Sequence, residues 1–273
     1  MLILLPPSET KRDGGSGAPL AEGGLEALSF GSLTAPRKKA LAALASLSRN
    51  KAEAAVALKI SDKQMAEVDR NREVQKSPTM PAIERYMGVL YDGLAAQNLS
   101  EPARAFVDAS VVIQSALLGP VAASDLIPAY RLSFDTCLPK LADKGGLKGL
   151  WAKPGSAALA TRSSGELVLD LRSEGYSVLS PLAPASETVY LRVVTKGENG
   201  RVKALNHFNK KGKGEFVRAL AQDSARTQSL KTVDELIAWG AAKGLVLERG
   251  AEARADWPAE LNLVVSGTLT RLY

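Results

Sequence analysis

Every apolar run in this chain is short, and runs with the look of strands alternate with stretches that repeat at helical spacing. That interleaving limits the possible folds more than any other feature. It predicts one mixed α+β domain over residues 1–273, a central β-sheet surrounded by helices, with a helical subregion at about 36–75. Of the 273 residues 45% are hydrophobic, enough to bury a substantial core. No run approaches the roughly 20 apolar residues that span a bilayer. A cytoplasmic protein with no membrane partner is therefore expected, and oligomeric state is left open.

The first strand is predicted at residues 2–5 and is closed by Pro6 and Pro7. It runs into a polar loop from which Ser8, Glu9, Thr10 and Lys11 emerge together. Strand ends are where sheets usually present ligands, although the loop's glycines suit a plain tether equally well. From Pro36 the pattern turns helical, with Leu41, Leu44 and Leu47 near one face. Asn50 with Glu53, and Ser61 with Gln64, repeat the spacing that caps helix starts. Tight joins at 47–50 and 59–62 make this a helix-hairpin-helix-like unit, with Arg49, Lys51, Lys59, Lys63, Arg70 and Arg72 at its turns and polar faces. Such a hairpin can meet one phosphate strand without reading base sequence. Helical packing with solvated charges explains the same pattern.

Further along, Ser100 and Pro102 mark a helix start, and a strand is expected at 111–113, followed by Ser115, Gly119 and Pro120. Tyr130 and Arg131 are expected to open another strand, where Arg131 either clamps an anion or pairs with Asp125 or Asp135. After Trp151 a helix takes Pro154 in its first turn. Strands follow at 166–171, 188–195 and 202–208, the last two joined by a hairpin turn at 197–200. Thr232 and Glu235 cap a helix that stops at Gly244, and a last strand covers 261–269.

Charge adds a functional hint. Thirty-five Lys and Arg against 29 Asp and Glu give a net charge of +6 and a pI near 9.3, which suits an acidic ligand or nucleic acid. The densest cationic segment, 206–218, holds Lys210, Lys211, Lys213, Arg218 and the single histidine, His207, with Gly212 and Gly214 among them. Read as a loop leading into a helix, it would let ammonium and backbone N–H groups converge on phosphate. A solvated basic loop is the plainer alternative. One histidine and one cysteine exclude the common zinc sites and the two-histidine iron triad, while a carboxylate magnesium site stays open. No Gly-x-Ser-x-Gly elbow is present, and no Walker or Gly-x-Gly-x-x-Gly loop follows a strand. No cofactor is expected. Cys137 reads as a buried structural thiol and His207 as a polar group at a strand end.

The chain resembles the peroxide stress protein YaaA family over nearly its whole length. The resemblance is carried by Pro7-Ser-Glu-Thr10 after the first strand, Ile60-Ser-Asp-Lys63, and Gly88 with Tyr91-Asp-Gly93-Leu94. It continues through Ser115 with Gly119, Asp125 through Tyr130-Arg131-Leu132, Trp151, Ser173 with Tyr176, and Lys210-Lys211-Gly-Lys213-Gly214 with Arg218. The resemblance implies a cytoplasmic bacterial protein of peroxide defence, linked to lower free iron and protection of DNA. It also implies double-stranded DNA binding, a helix-hairpin-helix motif mapping onto residues 45–72, and a basic cleft whose lysines map onto Lys210, Lys211 and Lys213. Two positions depart from the family. Glu9 stands where a lysine is usual, with Lys11 two places later, and Ala122-Ala123-Ser124 replaces an expected Arg-Pro pair before Asp125.

Two functions are thereby expected. In the first, Lys11, Lys63, Arg72, Arg131, Lys210, Lys211, Lys213 and Arg218 dock the phosphates of double-stranded DNA, or of another phosphate-bearing ligand, in a basic cleft. In the second, an enzyme acts on a nucleotide, nucleoside or damaged base, with Ser8, Tyr91, Asp125, Tyr130 and Ser173 as candidate catalytic groups and Asp125 as general acid or base.

Overall fold

The structure is a computed structural model that describes residues 1–196, 202–204 and 206–265. It is a mixed α+β fold. Strand β1 (Leu2–Leu5) lies at the centre of the main sheet with every residue buried, as an unbroken Leu-Ile-Leu-Leu run requires of a parallel strand covered on both faces. It pairs in parallel with β3 (Val111–Ser115) on one side and β6 (Val168–Asp170) on the other. Beyond β6 the parallel order continues through β7 (Thr188–Lys196) to β10 (Ala259–Val264). Three antiparallel strands complete the sheet: β4 (Gly119–Ala122) on β3, β8 (Val202–Ala204) on β7, and β9 (Val246–Arg249) on β10. A separate ribbon joins β2 (Met80–Pro81) to β5 (Leu126–Ile127).

The helices are α1 (Thr34–Leu47), α2 (Lys51–Leu58), α3 (Ala66–Arg72), α4 (Ala82–Arg85), α5 (Val89–Leu94), α6 (Glu101–Ser110), α7 (Gly146–Ser163), α8 (Glu174–Ser177), α9 (Asn206–Gln222), α10 (Ser224–Thr227) and α11 (Val233–Ala242). Alternate side chains of β1 enter different cores. Leu2 and Leu4 pack with Val112, Val168 and Leu159 of α7, whereas Ile3 and Leu5 join the larger core with Leu90 of α5, Val107 of α6 and Phe216 of α9. The predicted caps are present at Asn50, which accepts from the Glu53 amide, at Ser61 with Gln64, and at Thr232 with Glu235.

Local expectation and structure part at four places. The strand expected at 202–208 ends at Ala204, and α9 begins at Asn206. Lys210 to Gly214 are thus helical rather than a loop. Tyr130 and Arg131 open no strand; they lie in the segment between β5 and a 3-10 helix at Pro139–Lys144. Pro154 sits inside α7, because that helix starts earlier, at Gly146. Cys137 is exposed rather than buried. The hairpin turn at 197–200 and the end of the last expected strand lie outside the described residues.

Gly214 of α9 and Gly93 of α5 have a tertiary purpose. A Cβ on Gly214 would lie 1.9 Å from the Leu90 carbonyl oxygen of α5, and one on Gly93 would lie 2.8 Å from the Lys211 carbonyl oxygen. The two helix backbones therefore cross in direct contact. In an open helix Gly→Ala gains about 1 kcal/mol. Here Gly214→Ala is expected to reverse that sign and destabilise the protein by about 1–3 kcal/mol through overpacking, read as a lowered urea midpoint.

Candidate functional site at the carboxyl edge of the sheet

Strands β1, β3 and β6 run parallel and deliver their carboxyl ends to one edge, where open α/β-type sheets bind ligands. The loop after β1 is held firmly there. The Met87 amide donates to the Thr10 carbonyl at 3.1 Å and the Arg12 amide to the Arg85 carbonyl at 2.8 Å, so Lys11 pairs with Tyr86 in an isolated bridge. The Tyr91 hydroxyl donates to the Pro6 carbonyl at 2.8 Å. Ser8 lies against Gly88, which starts α5 with φ of 102°.

Lys11 is the unusual group of this edge. Its side chain turns inward and is buried. Nζ donates to the carbonyls of Ser8 at 2.8 Å and Glu9 at 3.2 Å, and lies 4.2 Å from the Tyr130 ring centroid and 5.4 Å from that of Tyr86. The nearby carboxylates are engaged by arginines instead: Glu9 pairs with Arg131, and Glu67 with Arg70 at 2.6 Å. Burial, reinforced by Arg131 and only partly opposed by Glu67 and Glu9, lowers the lysine to about 7.

Behind the amine runs a chain of hydroxyls. Ser115 Oγ accepts the amides of Leu117 at 3.1 Å and Leu118 at 2.9 Å and lies 2.7 Å from the Tyr130 hydroxyl, which is 2.8 Å from that of Tyr86. Desolvation raises Tyr86, Tyr91 and Tyr130 well above the ordinary phenol range. All three stay neutral near pH 7. Tyr176 of α8 is raised by burial too, and its ring meets that of Phe134 edge-on at 5.2 Å.

At the neighbouring end of β6, Lys213 is also buried. Its Nζ donates to the Leu171 carbonyl at 3.0 Å and faces Tyr190 at 5.2 Å. Burial lowers it to about 8, opposed mainly by Asp170. Ser173, two residues beyond Leu171, occupies the N-cap position of α8 without a side-chain capping bond and is exposed. Lys210 and Lys211 are exposed on the second turn of α9, where Lys211 pairs with Glu215 at 3.3 Å.

The edge thus gathers Ser8, Lys11, Tyr91, Tyr130 and Arg131, with Ser173 and Lys213 at the adjoining strand end. Other expected residues are engaged elsewhere. Asp125 accepts the amide and hydroxyl of Ser29 at 3.0 and 2.8 Å and the Ala122 amide at 2.9 Å, so its oxygens hold loops together. Arg218 donates to the carbonyls of Leu94 and Ala95 at the end of α5. Arg72 pairs with Asp69, whereas Lys63 is exposed in the 3-10 helix Asp62–Gln64 between α2 and α3. Arg131 takes Glu9 rather than Asp125 or Asp135, and Asp135 instead meets Lys59 at 2.6 Å. His207 falls in the first turn of α9, not at a strand end, and its side chain lies outside the described residues. Sequence reasoning overlooked Tyr86 and Glu67, which come to Lys11 from the residue after α4 and from α3 without any local signature.

The edge is distinct from a cleft of about 910 Å³ at the amino ends of β6 and β7, bordered by Ser156, Glu166, Leu182, Thr188 and Lys231. Among the described residues no helix is long and apolar enough to cross a membrane, and no cluster of three or more His, Cys, Asp or Glu is placed to hold a metal ion.

The depressed lysines make stability depend on pH. An unfolded lysine keeps its proton up to about 10.5, whereas folded Lys11 releases it at about 7. Within that window the unfolded chain binds more protons, so stability rises with pH. Unfolding free energy measured by urea titration is expected to increase from about pH 7 to pH 9.5. The increase should be smaller in Lys11→Met, and smaller in Lys213→Met over a window that opens at about 8.

Comparison with known proteins fixes the relationship. The sequence profile described as peroxide stress protein YaaA matches residues 1–248. A UPF0246 protein of Corynebacterium glutamicum strain R is 43% identical over 249 residues, covering 91% of this chain and 95% of that protein. One from Corynebacterium efficiens is 41% identical over 251 residues, covering 92% of this chain and 96% of that protein. A Streptomyces coelicolor UPF0246 protein is 35% identical over 268 residues, covering 97% and 98% respectively. Matched along nearly its entire length, the chain belongs to the peroxide stress protein YaaA family.

Proposed function

We propose that this family member serves the peroxide stress response in the cytoplasm as one DNA-binding domain, docking the phosphates of double-stranded DNA at the carboxyl edge of its sheet. The observation that carries this reading is where cationic charge is left facing solvent. Arg37, Arg85, Arg218 and Lys213 are turned onto backbone carbonyls, while Lys51, Lys59, Arg70 and Arg72 face carboxylates. Lys210 and Lys211 stand exposed on α9, which crosses α5 in backbone contact, and α5 in turn begins against the Ser8 loop. Lys63, between α2 and α3, is a further exposed cation, and among the described residues neither it nor Lys210 meets a carboxylate, whereas Lys211 pairs with Glu215. Docking of this kind is neutral to base sequence and weakens steeply with salt.

The test is a salt titration of binding to a short labelled duplex. Replacing both Lys210 and Lys211 by alanine is expected to weaken binding at low salt and to flatten the slope of log K against log salt by about 1–2, close to one per lost phosphate contact. Adding Lys63→Ala should flatten it further if the hairpin shares the duplex. An unchanged slope in the double variant would rule out this docking surface.

A second reading, an enzyme acting on a nucleotide, nucleoside or damaged base at the same edge, is favoured by one observation. The Ser115–Tyr130–Tyr86 chain and Lys11 lie buried at that edge, and phosphate docking alone calls for charge rather than buried hydroxyls.

A further inference from the structure

We propose that lysines of α1, of the 3-10 helix Pro139–Lys144 and of the first turns of α7 form a second phosphate-docking surface, on the other face of the sheet from α9, so that one molecule holds two DNA duplexes. The inference rests on the reading of DNA as the ligand and adds a surface to it. It starts from the distribution of charge along the chain. Neither α1 nor α7 contains an Asp or Glu, although α1 carries Arg37, Lys38 and Lys39 and α7 carries Lys148, Lys153 and Arg162. Over residues 139–154, Lys140, Lys144, Lys148 and Lys153 stand against a single acid, Asp143. Those four and Lys39 are exposed, and among the described residues none of them meets a carboxylate. Lys38 shows the contrast, since it pairs with Glu26 at 3.0 Å.

Folding brings these lysines together. Lys39 and Lys144 border one hollow of about 260 Å³, along with Pro36, Leu141, Leu150 and Pro154. A Cβ on Gly149 would lie 1.8 Å from the Lys144 carbonyl oxygen, so Lys144 is held against the first turn of α7. Lys153 follows Gly149 by four residues and Leu150 by three, and stands on the same side of that helix. The helix end adds to the field. α7 is 18 residues long, starts at Gly145 with no side-chain cap, and has no acidic residue in its first turn. Its positive end therefore lies among lysines, an arrangement that repels itself and that a bound anion relieves. Solvated lysines spread over three elements suit a run of phosphates rather than a single small anion. Position then separates this surface from α9. Leu159 of α7 packs on Leu2 and Leu4, whereas Phe216 of α9 lies in the core of Ile3 and Leu5, so the two helices cover opposite faces of β1. A straight duplex along one face does not reach the other.

The test uses the full chain, one short duplex fixed to beads and a second, fluorescent duplex free in solution. The unaltered protein is expected to carry the fluorescent duplex onto the beads. A variant with Lys39→Ala, Lys144→Ala and Lys153→Ala should lower that capture by about tenfold or more at low salt through the lost phosphate contacts, while still binding the fixed duplex through α9. Replacing the same residues by arginine keeps the charge and should keep the capture. Lys210→Ala with Lys211→Ala should likewise lower capture, and the binding of one duplex that remains should weaken further when the three substitutions are added. Pairing of two protein molecules would also join duplexes, but that route survives in the triple alanine variant. Capture undiminished in this variant, or binding of only one duplex by the unaltered protein, would overturn the proposal and leave docking at α9 standing. Absence of any duplex binding by the unaltered protein would sink both. The substituted side chains are exposed, and removing cations from the start of α7 is expected to leave the urea midpoint equal or higher, so lost capture is told apart from lost folding by that midpoint.

Discussion

Much of this molecule is held by cations turned inward onto backbone carbonyls. Arg85 is the fullest case: it is buried, and it donates to the carbonyls of Ile127, Arg12, Gly14 and Pro78. One guanidinium thereby ties the loop after β1 to β5 and to the segment just before β2. Arg37 binds the carbonyls of Leu118 and Pro120 in the same manner, and Arg172 joins Asp170, Gln114 and the Ser180 carbonyl. A guanidinium suits this role because its five donors lie in a rigid fork, and loop carbonyls without a ladder partner need donors when buried. The result is a set of irregular loops as firmly placed as the strands they leave.

That device also governs what charge is left for a ligand. A net charge of +6 suggests a broadly basic surface, yet many of the cations face carbonyls or carboxylates within the fold. The remaining positive groups differ in kind. Lys210 and Lys63, like Lys39, Lys148 and Lys153, are solvated and attract at a distance, screened within roughly 8 Å at physiological salt. Lys11 and Lys213 are desolvated, and their charge is conditional on pH. An arginine at either position would stay charged at neutral pH, whereas a lysine can release its proton.

The parts of the fold that were legible in the sequence are those set by near neighbours. The unbroken apolar run of β1 and the side-chain caps at Asn50, Ser61 and Thr232 depend on a few adjacent residues, and the structure contains them. The start of α9 is not legible because a Lys- and Gly-rich stretch resembles a loop when taken alone; Gly214 answers to α5, more than a hundred positions away in sequence, and Gly212 to Val193 of β7. Family resemblance pointed to Ser8, Tyr91, Tyr130, Arg131 and Lys213, but it could not pair them. Which carboxylate takes Arg131, and why Asp125 turns to Ser29, are choices made by chain segments that meet only after folding. The inward turn of Lys11 is another such choice.

The crossing of α5 and α9 has a mechanical consequence. With Gly93 and Gly214 in backbone contact, neither helix can roll or advance by a residue without colliding with the other's carbonyls. Arg218 fastens the far end of α5 to α9 as well. The two helices therefore behave as one lever, with Lys210 and Lys211 on one arm and Gly88, resting on the Ser8 loop, on the other. The rim lysines and the loop after β1 are therefore carried on one rigid frame, set by the backbone contact of α5 and α9 and by the Arg218 side chain.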